Sequence, residues 1–234
     1  MTAKVKEKDN CDLVVSPIKI IAKFFAPPSA VCNSWQKAKI EAFLQDLGND
    51  SIVVDVGSST RKLGKHVLNF DIVSNPNVDI IGDIHKMPMH DNSVDGIIVT
   101  GVIEHIENPV LAVSELHRVL KKGGVIYASI PFMQGYHPDP TDYQRYTVQG
   151  IQKLFQNFQI IEISNTRGSG STVSWLLSEF FSIFLCFNND KAYHVLKFTF
   201  KWLFFPLKYF DYVLKNNKFD LNITSGFTLL GRKI

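Results

Sequence analysis

The stretch Ile52-Val53-Val54-Asp55-Val56-Gly57-Ser58-Ser59-Thr60 constrains the fold more than any other part of the chain. Apolar residues interrupted by one carboxylate predict a strand buried on both faces, the kind found in parallel sheets. The Gly-Ser turn that follows predicts a loop able to approach a nucleotide-like ligand. A strand with such a turn is common among α/β proteins. What makes it specific here is the series behind it: strand-end carboxylates at Asp71 and Asp83, then Val99-Thr100-Gly101-Val102-Ile103-Glu104-His105-Ile106-Glu107-Asn108-Pro109. Together these predict one ligand-binding edge.

The rest of the pattern supports a doubly wound sheet. Strands are predicted at 52–56, 66–71, 78–81, 95–100, 125–130, 158–164 and 226–232. Helices are predicted at 18–25, 34–47 and from Pro109 to Leu120, the last followed by Lys121-Lys122 and ended by Gly123-Gly124. Thr147 starts another through Phe155. Strands alternating with helices place ligands at the carboxyl ends of the strands. One connection is unusual: about ten residues separate the first two strands, where a parallel crossover needs a dozen or more. A single turn or an extended loop is expected there.

Composition narrows the function. Net charge is +3 and charged residues make up 20% of the chain, without the concentrated basic patch of a nucleic-acid binder. The three cysteines, Cys11, Cys32 and Cys186, form no metal-binding spacing and suit a reduced, cytoplasmic compartment. Residues 1–10 carry charges of both signs, lack an apolar core and are expected to form a tail rather than a secretory signal. No metal cluster, P-loop or nucleophile motif stands out.

The series from Val53 to Pro131 resembles the class I S-adenosylmethionine-dependent methyltransferases, of the small-molecule type that serves quinone biosynthesis and surface-glycan gene clusters. The likeness is carried by Val54-Asp55-Val56-Gly57, Gly82-Asp83-Ile84-His85-Lys86-Met87-Pro88, Glu104-His105-Ile106-Glu107-Asn108-Pro109 and Leu116-His117-Arg118-Val119-Leu120-Lys121-Lys122-Gly123-Gly124. It covers roughly residues 50–165. It implies an α/β, Rossmann-like, mostly parallel seven-stranded sheet with an antiparallel last strand.

It also implies roles. Asp55, Gly57, Ser58 and Ser59 would serve the methionine end of S-adenosylmethionine, Gly57 by letting the backbone come close. Asp71 would accept the ribose hydroxyls, as the acidic residue of dinucleotide folds does. Asp83 would accept the adenine amino group, with Ile84 against the ring. Thr100 and Gly101 would border the methionine moiety, with Glu104 and His105 just beyond, near the methyl group or the floor of the substrate pocket. Plainer roles stand beside these: Asp55 as a backbone cap, Asp71 as a turn residue, His105 as a loop support. Many relatives carry GxGxG where this chain has Gly57-Ser58-Ser59.

The segment Pro131 to Thr147 is dense in titratable and aromatic groups and contains a His-x-x-Pro-x-Asp-Tyr-x-Arg-Tyr pattern similar to that of glycan-cluster relatives. It points to His137 as base or substrate ligand, with Tyr136, Asp142 and Arg145 on the substrate side. Asp142 and Arg145 paired to each other is the plainer reading.

Residues 166–224 form an aromatic-rich helical insertion before the last strand. The expected organisation is therefore an N-terminal part at 1–48, a methyltransferase unit at 49–165 and 225–234, and this insertion. On a helix running through 191–215, Lys197, Lys201, Lys208 and Lys215 fall within about 40° of one another. A broad apolar face beside a lysine stripe fits a peripheral membrane contact through 172–215, on the inner face of the membrane. Packing on the domain and a dimer interface are the other readings. The expected activity is methyl transfer to a small or lipid-linked acceptor, O-methylation of a glycan or lipid intermediate first, a quinone-like lipid second. A catalytically silent membrane scaffold is the non-enzymatic reading.

Overall fold

A computed structural model of the chain describes residues 34–138 and 140–234. The helix expected at 18–25, the tail, Cys11 and Cys32 lie outside the described residues. Strand β1 (Val53–Val56) is buried at all four positions, as a run apolar on both faces requires. It pairs in parallel with β2 (Val67–Asp71) on one side and β4 (Val94–Thr100) on the other; Val53 stands opposite both Val67 and Gly96. Two-residue β3 (Ile80–Ile81) lies outside β2, and β5 (Leu120–Pro131) continues the sheet beyond β4. The last strand, β7 (Gly226–Lys233), runs antiparallel between β5 and β6 (Phe158–Arg167). The order is β3-β2-β1-β4-β5-β7-β6. The chain departs from β1 to opposite sides, so a crevice opens at the carboxyl ends of β1 and β4.

The pleat divides the core. Val54, Val56, Ile97 and Val99 pack on one face beneath helices α2 (Pro109–Val119) and α3 (Val148–Leu154). Val53, Ile98 and Tyr127 face the other way, against Ile40 and Phe43 of α1 (Ser34–Leu47). Alternate residues of one strand thus feed two cores, which is why β1 and β4 tolerate almost no polar residue. Asn108 accepts a hydrogen bond from Leu111 N–H at 3.1 Å and caps α2, with Pro109 in its first turn.

One local expectation in the sheet is revised. Helix α2 ends at Val119, not at the glycine pair: Leu120 is extended, fully buried and paired with Val94, so residues 120–124 already belong to β5. The connection from β1 to β2 contains no helix, as its length predicts.

Beyond β6 the chain forms α4 (Ser169–Leu185) and α5 (Asp190–Phe204), then a 3-10 turn (Phe205–Tyr209) and short α6 (Phe210–Leu214). The continuous helix through 191–215 is not formed. Pro206 has no N–H to donate and its ring crowds the preceding turn, so α5 stops at Phe204. Lys197 consequently leaves the expected stripe: its Nζ turns inward and lies 2.6 Å from Glu179 Oε1 on α4.

The α4–α5 pair is inverted relative to a water-soluble helix pair. Ser171, Ser174, Ser178 and Ser182 of α4 are fully buried. Ser174 and Ser178 hydroxyls donate to the Phe204 and Phe200 carbonyls of α5, at 2.8 and 3.3 Å. The large side chains point outward: Phe180 is 59% exposed and Phe184 66%, with Phe198, Trp202 and Leu203 exposed on α5. Two buried carboxylates anchor the start of α4, Asp220 accepting from Ser169 N–H at 2.8 Å and Asp211 from Ser171 N–H at 3.0 Å. None of the helices among the described residues is long and apolar enough to cross a membrane.

Candidate functional site

Two clefts open at the carboxyl edge of the sheet. The first, about 590 Å³, is bordered by Gly57 and Ser59 after β1, Asp71 to Val73 after β2, Gly82 to His85 after β3, and Gly101, Val102, His105 and Ile106 after β4. The second, about 620 Å³, lies across β4 and β5 beneath α1. Its walls include Arg61, Lys62, Thr100, Glu104, Ser129, His137, Thr166 and Arg167. Gly101 and His105 border both, so the clefts meet there.

The first cleft's polar groups are fixed from behind. Asp71 accepts Ser59 N–H on Oδ2 at 2.7 Å and Val73 N–H on Oδ1 at 2.9 Å. A carboxylate oxygen has two lone pairs, so each keeps one for a ligand. Asp83 caps a short 3-10 turn, Ile84–Lys86, with Oδ1 bound to His85 N–H and its ring Nδ1 at 2.9 and 2.7 Å, which leaves Oδ2 toward solvent. The hydrogen bond from His85 N–H holds the Asp83 carboxyl below the ordinary carboxylate value.

The glycine loop is more self-contained than its sequence suggests. Gly57 and Ser58 N–H groups both donate to Phe70 C=O, at 2.8 and 3.2 Å, and Ser59 N–H is spent on Asp71. Gly57 has φ +68°, and a Cβ there would lie 2.2 Å from Val102 Cγ2. Ser59, where the family resemblance leads to the expectation of a second glycine, takes φ +49°, the left-handed region glycine prefers.

Asp55 borders neither cleft. It is fully buried and gripped by Arg61, whose Nη1 also donates to Thr100 Oγ1 at 2.6 Å. Burial pushes the Asp55 carboxyl upward, and the Arg61 guanidinium opposes that shift. Sequence reasoning gave Arg61 no role; the absent crossover helix was the available signal. A helix N-terminus normally points at the ligand in this position. Here the loop brings in a guanidinium instead.

Where the clefts meet stand Glu104, His105 and His137. Glu104 Oε1 lies 3.9 Å from His105 Nε2 and 3.8 Å from His137 Nε2, and the two rings meet edge to face with centroids 5.4 Å apart. His105 Nδ1 bonds to the Thr141 carbonyl and His137 Nδ1 to the Gly135 carbonyl, the latter at 2.8 Å. A carbonyl only accepts, so His105 carries hydrogen on Nδ1; at His137 Nδ1 the Gly135 carbonyl competes with Arg145 Nη2, which only donates and lies 3.2 Å away. Glu104 is 2% exposed, and its Oε2 has no hydrogen-bond partner. Burial pushes its carboxyl above the ordinary value.

Asp142 and Arg145 pair with each other through both guanidinium nitrogens, and the Arg145 hydrogen bonds hold Asp142 well below the usual carboxylate range. Asp142 also accepts His137 N–H at 2.9 Å, and Arg145 donates to Gly135 C=O at 3.1 Å. The pair shapes the His137 loop without bordering either cleft, and exposed Tyr136 borders neither.

Residues 37–128 match the methyltransferase domain family. Those residues thus carry a methyltransferase domain, similar to that of class I S-adenosylmethionine-dependent methyltransferases. Over 110 residues it is 27% identical to the demethylmenaquinone methyltransferase of Renibacterium salmoninarum, covering 47% of this chain and 44% of that one. Over 57 residues it is 44% identical to a probable S-adenosylmethionine-dependent methyltransferase of Mycolicibacterium smegmatis, covering 24% and 22%. The matched stretches thus span less than half of those relatives' own length. In fold, this chain is similar to Haemonchus contortus phosphoethanolamine N-methyltransferase 2, with a TM-score of 0.55, 15% identity, and coverage of 93% of this chain and 57% of that one. That structure was solved with phosphomonomethylethanolamine and S-adenosylhomocysteine.

The first cleft fits S-adenosylmethionine by its own chemistry. Its volume lies in the range of small-molecule sites, about 300–1,000 Å³. Two carboxylates with lone pairs to spare suit sugar hydroxyls and an exocyclic amine. Ile72, Ile84 and Ile106 supply apolar wall for a flat ring.

Proposed function

We propose that this chain is an enzyme that methylates a hydroxyl on a small or lipid-linked acceptor held in the second cleft. The observation that carries the reading is the meeting of the two clefts at Gly101 and His105. S-adenosylmethionine, when bound, supplies a methyl group activated on a sulfonium, so the protein's task is to orient and to exclude water. Asp71 and Asp83 would hold the ribose and the adenine, Ile84 would pack on the ring, and Ser59 and Gly101 would border the methionine end. Ser58, with its N–H spent and its side chain buried, and Asp55, gripped by Arg61, would shape the loop from behind. Thr100 is engaged by Arg61 and would limit the acceptor side. His137 Nε2 and His105 Nε2 face the Glu104 carboxylate at the junction. Either can take up the hydroxyl proton, and Glu104 would stabilise the imidazolium that results.

Two observations support a lipid-linked acceptor bearing phosphate, such as a lipid-linked glycan. Lys62 and Arg167 line the acceptor cleft and would favour negative charge there. The inverted α4–α5 pair begins two residues after Arg167, and Trp175 of α4 lies against the Gly135 loop that carries His137. Small residues inside and large apolar residues outside is how helices pack in lipid. The pair is too short to span, which favours lying in the interface. A quinone-like lipid is the second reading, supported by the similarity to a demethylmenaquinone methyltransferase.

Two measurements test this. Membrane extracts given the protein and S-adenosylmethionine should yield a lipid-linked species heavier by one methyl group; gains confined to water-soluble metabolites would remove the lipid-linked part. The protein should float with phosphatidylglycerol vesicles, and a Phe180→Ser/Phe184→Ser/Phe198→Ser variant should not. Equal flotation of both would contradict the attachment.

A further inference from the structure

The three groups at the junction also have the make-up of a metal site. Among the described residues, Glu104, His105 and His137 are a group whose ligand atoms all lie within 4.8 Å of one another. We propose that they bind one divalent first-row transition-metal ion, with its open coordination positions facing the acceptor cleft. This rests on the methyl-transfer reading and replaces proton uptake by a histidine with cation assistance.

The donor set is neutral imidazole nitrogen twice and carboxylate once, which suits Zn²⁺, Fe²⁺ or Mn²⁺ and leaves positions for water or substrate. The supporting groups are built as such sites require. Metal-binding histidines give their other ring N–H to a carbonyl or carboxylate, which fixes the tautomer. Here His105 Nδ1 meets the Thr141 carbonyl, and His137 Nδ1 is held between the Gly135 carbonyl and Arg145 Nη2. The loop behind His137 is locked in turn by Asp142 and Arg145.

Glu104 supplies an independent observation. Its carboxylate is almost wholly buried, and Oε2 lacks any hydrogen-bond partner. Buried polar oxygens are nearly always satisfied, and a cation held by both carboxylate oxygens would satisfy this one. Glu104 Oε1 lies 3.8 Å from His137 Nε2 and 3.9 Å from His105 Nε2. Ligands of a tetrahedral zinc at about 2.0–2.1 Å sit about 3.3 Å apart, so the two Glu104–His pairs need to close by about half an ångström, and the two histidine nitrogens, which lie within 4.8 Å, by up to about 1.5 Å. All three residues border the acceptor cleft. An acceptor hydroxyl entering the open position would lose its proton to solvent more readily as the oxygen bonds to the cation.

The test is equilibrium binding of Zn²⁺ to the full chain by calorimetry, with Co²⁺ absorption as a spectroscopic check. One equivalent should bind, and Co²⁺ should give visible bands of a low-coordinate nitrogen–oxygen site. Glu104→Gln and His137→Ala should each weaken Zn²⁺ at least ten-fold, while His117→Ala, remote from the group, should not. The isosteric Glu104→Gln, checked for an unchanged circular-dichroism spectrum, keeps the test valid if His137→Ala folds poorly. Absence of binding at 100 µM Zn²⁺, or affinity unmoved by both variants, overturns the metal site. Undiminished methyl transfer after chelation would also overturn it, while leaving the methyltransferase reading intact. Loss of S-adenosylhomocysteine binding to the metal-loaded protein would instead strike that reading and leave the ion site standing.

Discussion

Arg61 holds Asp55 through two parallel hydrogen bonds, Nε to Oδ2 at 2.8 Å and Nη2 to Oδ1 at 2.5 Å. The loop that replaces a crossover helix thereby neutralises a carboxylate at the end of the central strand. Removing one partner strands the other. Arg61→Met should lower stability by about 3 kcal/mol, because a buried carboxylate then lacks its counter-charge. Asp55→Asn combined with Arg61→Met should recover part of that loss. Urea unfolding of the single and double variants checks both statements; equal losses would mean that the pair is not coupled.

Gly57 and Val102 leave no room for a side chain between β1 and the loop after β4. Gly57→Ala should destabilise the protein by more than about 1 kcal/mol, since both the positive φ and the 2.2 Å approach oppose a Cβ. Val102→Ala in the same chain should restore only the steric part. Ser59→Gly should be neutral or stabilising, because Ser59 already occupies a glycine-like conformation. Thermal midpoints compare the three.

The inverted hairpin predicts an inverted response to substitution. Ser178→Leu adds apolar surface yet should destabilise by roughly 1–3 kcal/mol, because the fully buried serine leaves no space for a branched side chain. Phe184→Ser removes apolar surface yet should leave the unfolding midpoint of the protein in solution nearly unchanged, since that ring is 66% exposed. Urea titrations followed by tryptophan fluorescence distinguish the two.

Glu179 ties α4 to α5. Burial alone would raise its carboxyl, but hydrogen bonds from Lys197, Tyr193 and Trp175 outweigh burial and hold it below 4.5. A depressed carboxyl contributes stability above its unfolded value, and the contribution fades as pH falls through the folded value. Acidification from pH 6 toward pH 3 should therefore loosen the hairpin, and Glu179→Gln should flatten that part of the pH profile. Amide exchange in α4 and α5 across this range is the measurement; identical profiles would contradict the coupling.

Much of this was legible because the signals were local. The buried runs of β1 and β4, Asn108-Pro109 at the start of α2 and the strand-end carboxylates Asp71 and Asp83 each follow from residues near in sequence. The misreadings involve distant partners. Leu120 reads as the last helical residue until Val94 pairs with it in the sheet. Lys197 reads as part of a solvent-facing stripe until Glu179 arrives on another helix. Glu104, His105 and His137 have no telling spacing, because the loops after β4 and β5 bring them together only in the folded chain.

The central claim is that the edge formed by Asp71 and Asp83 holds S-adenosylmethionine. Calorimetric titration of the protein with S-adenosylhomocysteine tests it most directly. One molecule should bind, and Asp71→Ala and Asp83→Ala should each weaken binding about ten-fold or more through lost hydrogen bonds to a charged group. No heat of binding at millimolar ligand, or an affinity untouched by both substitutions, would contradict it.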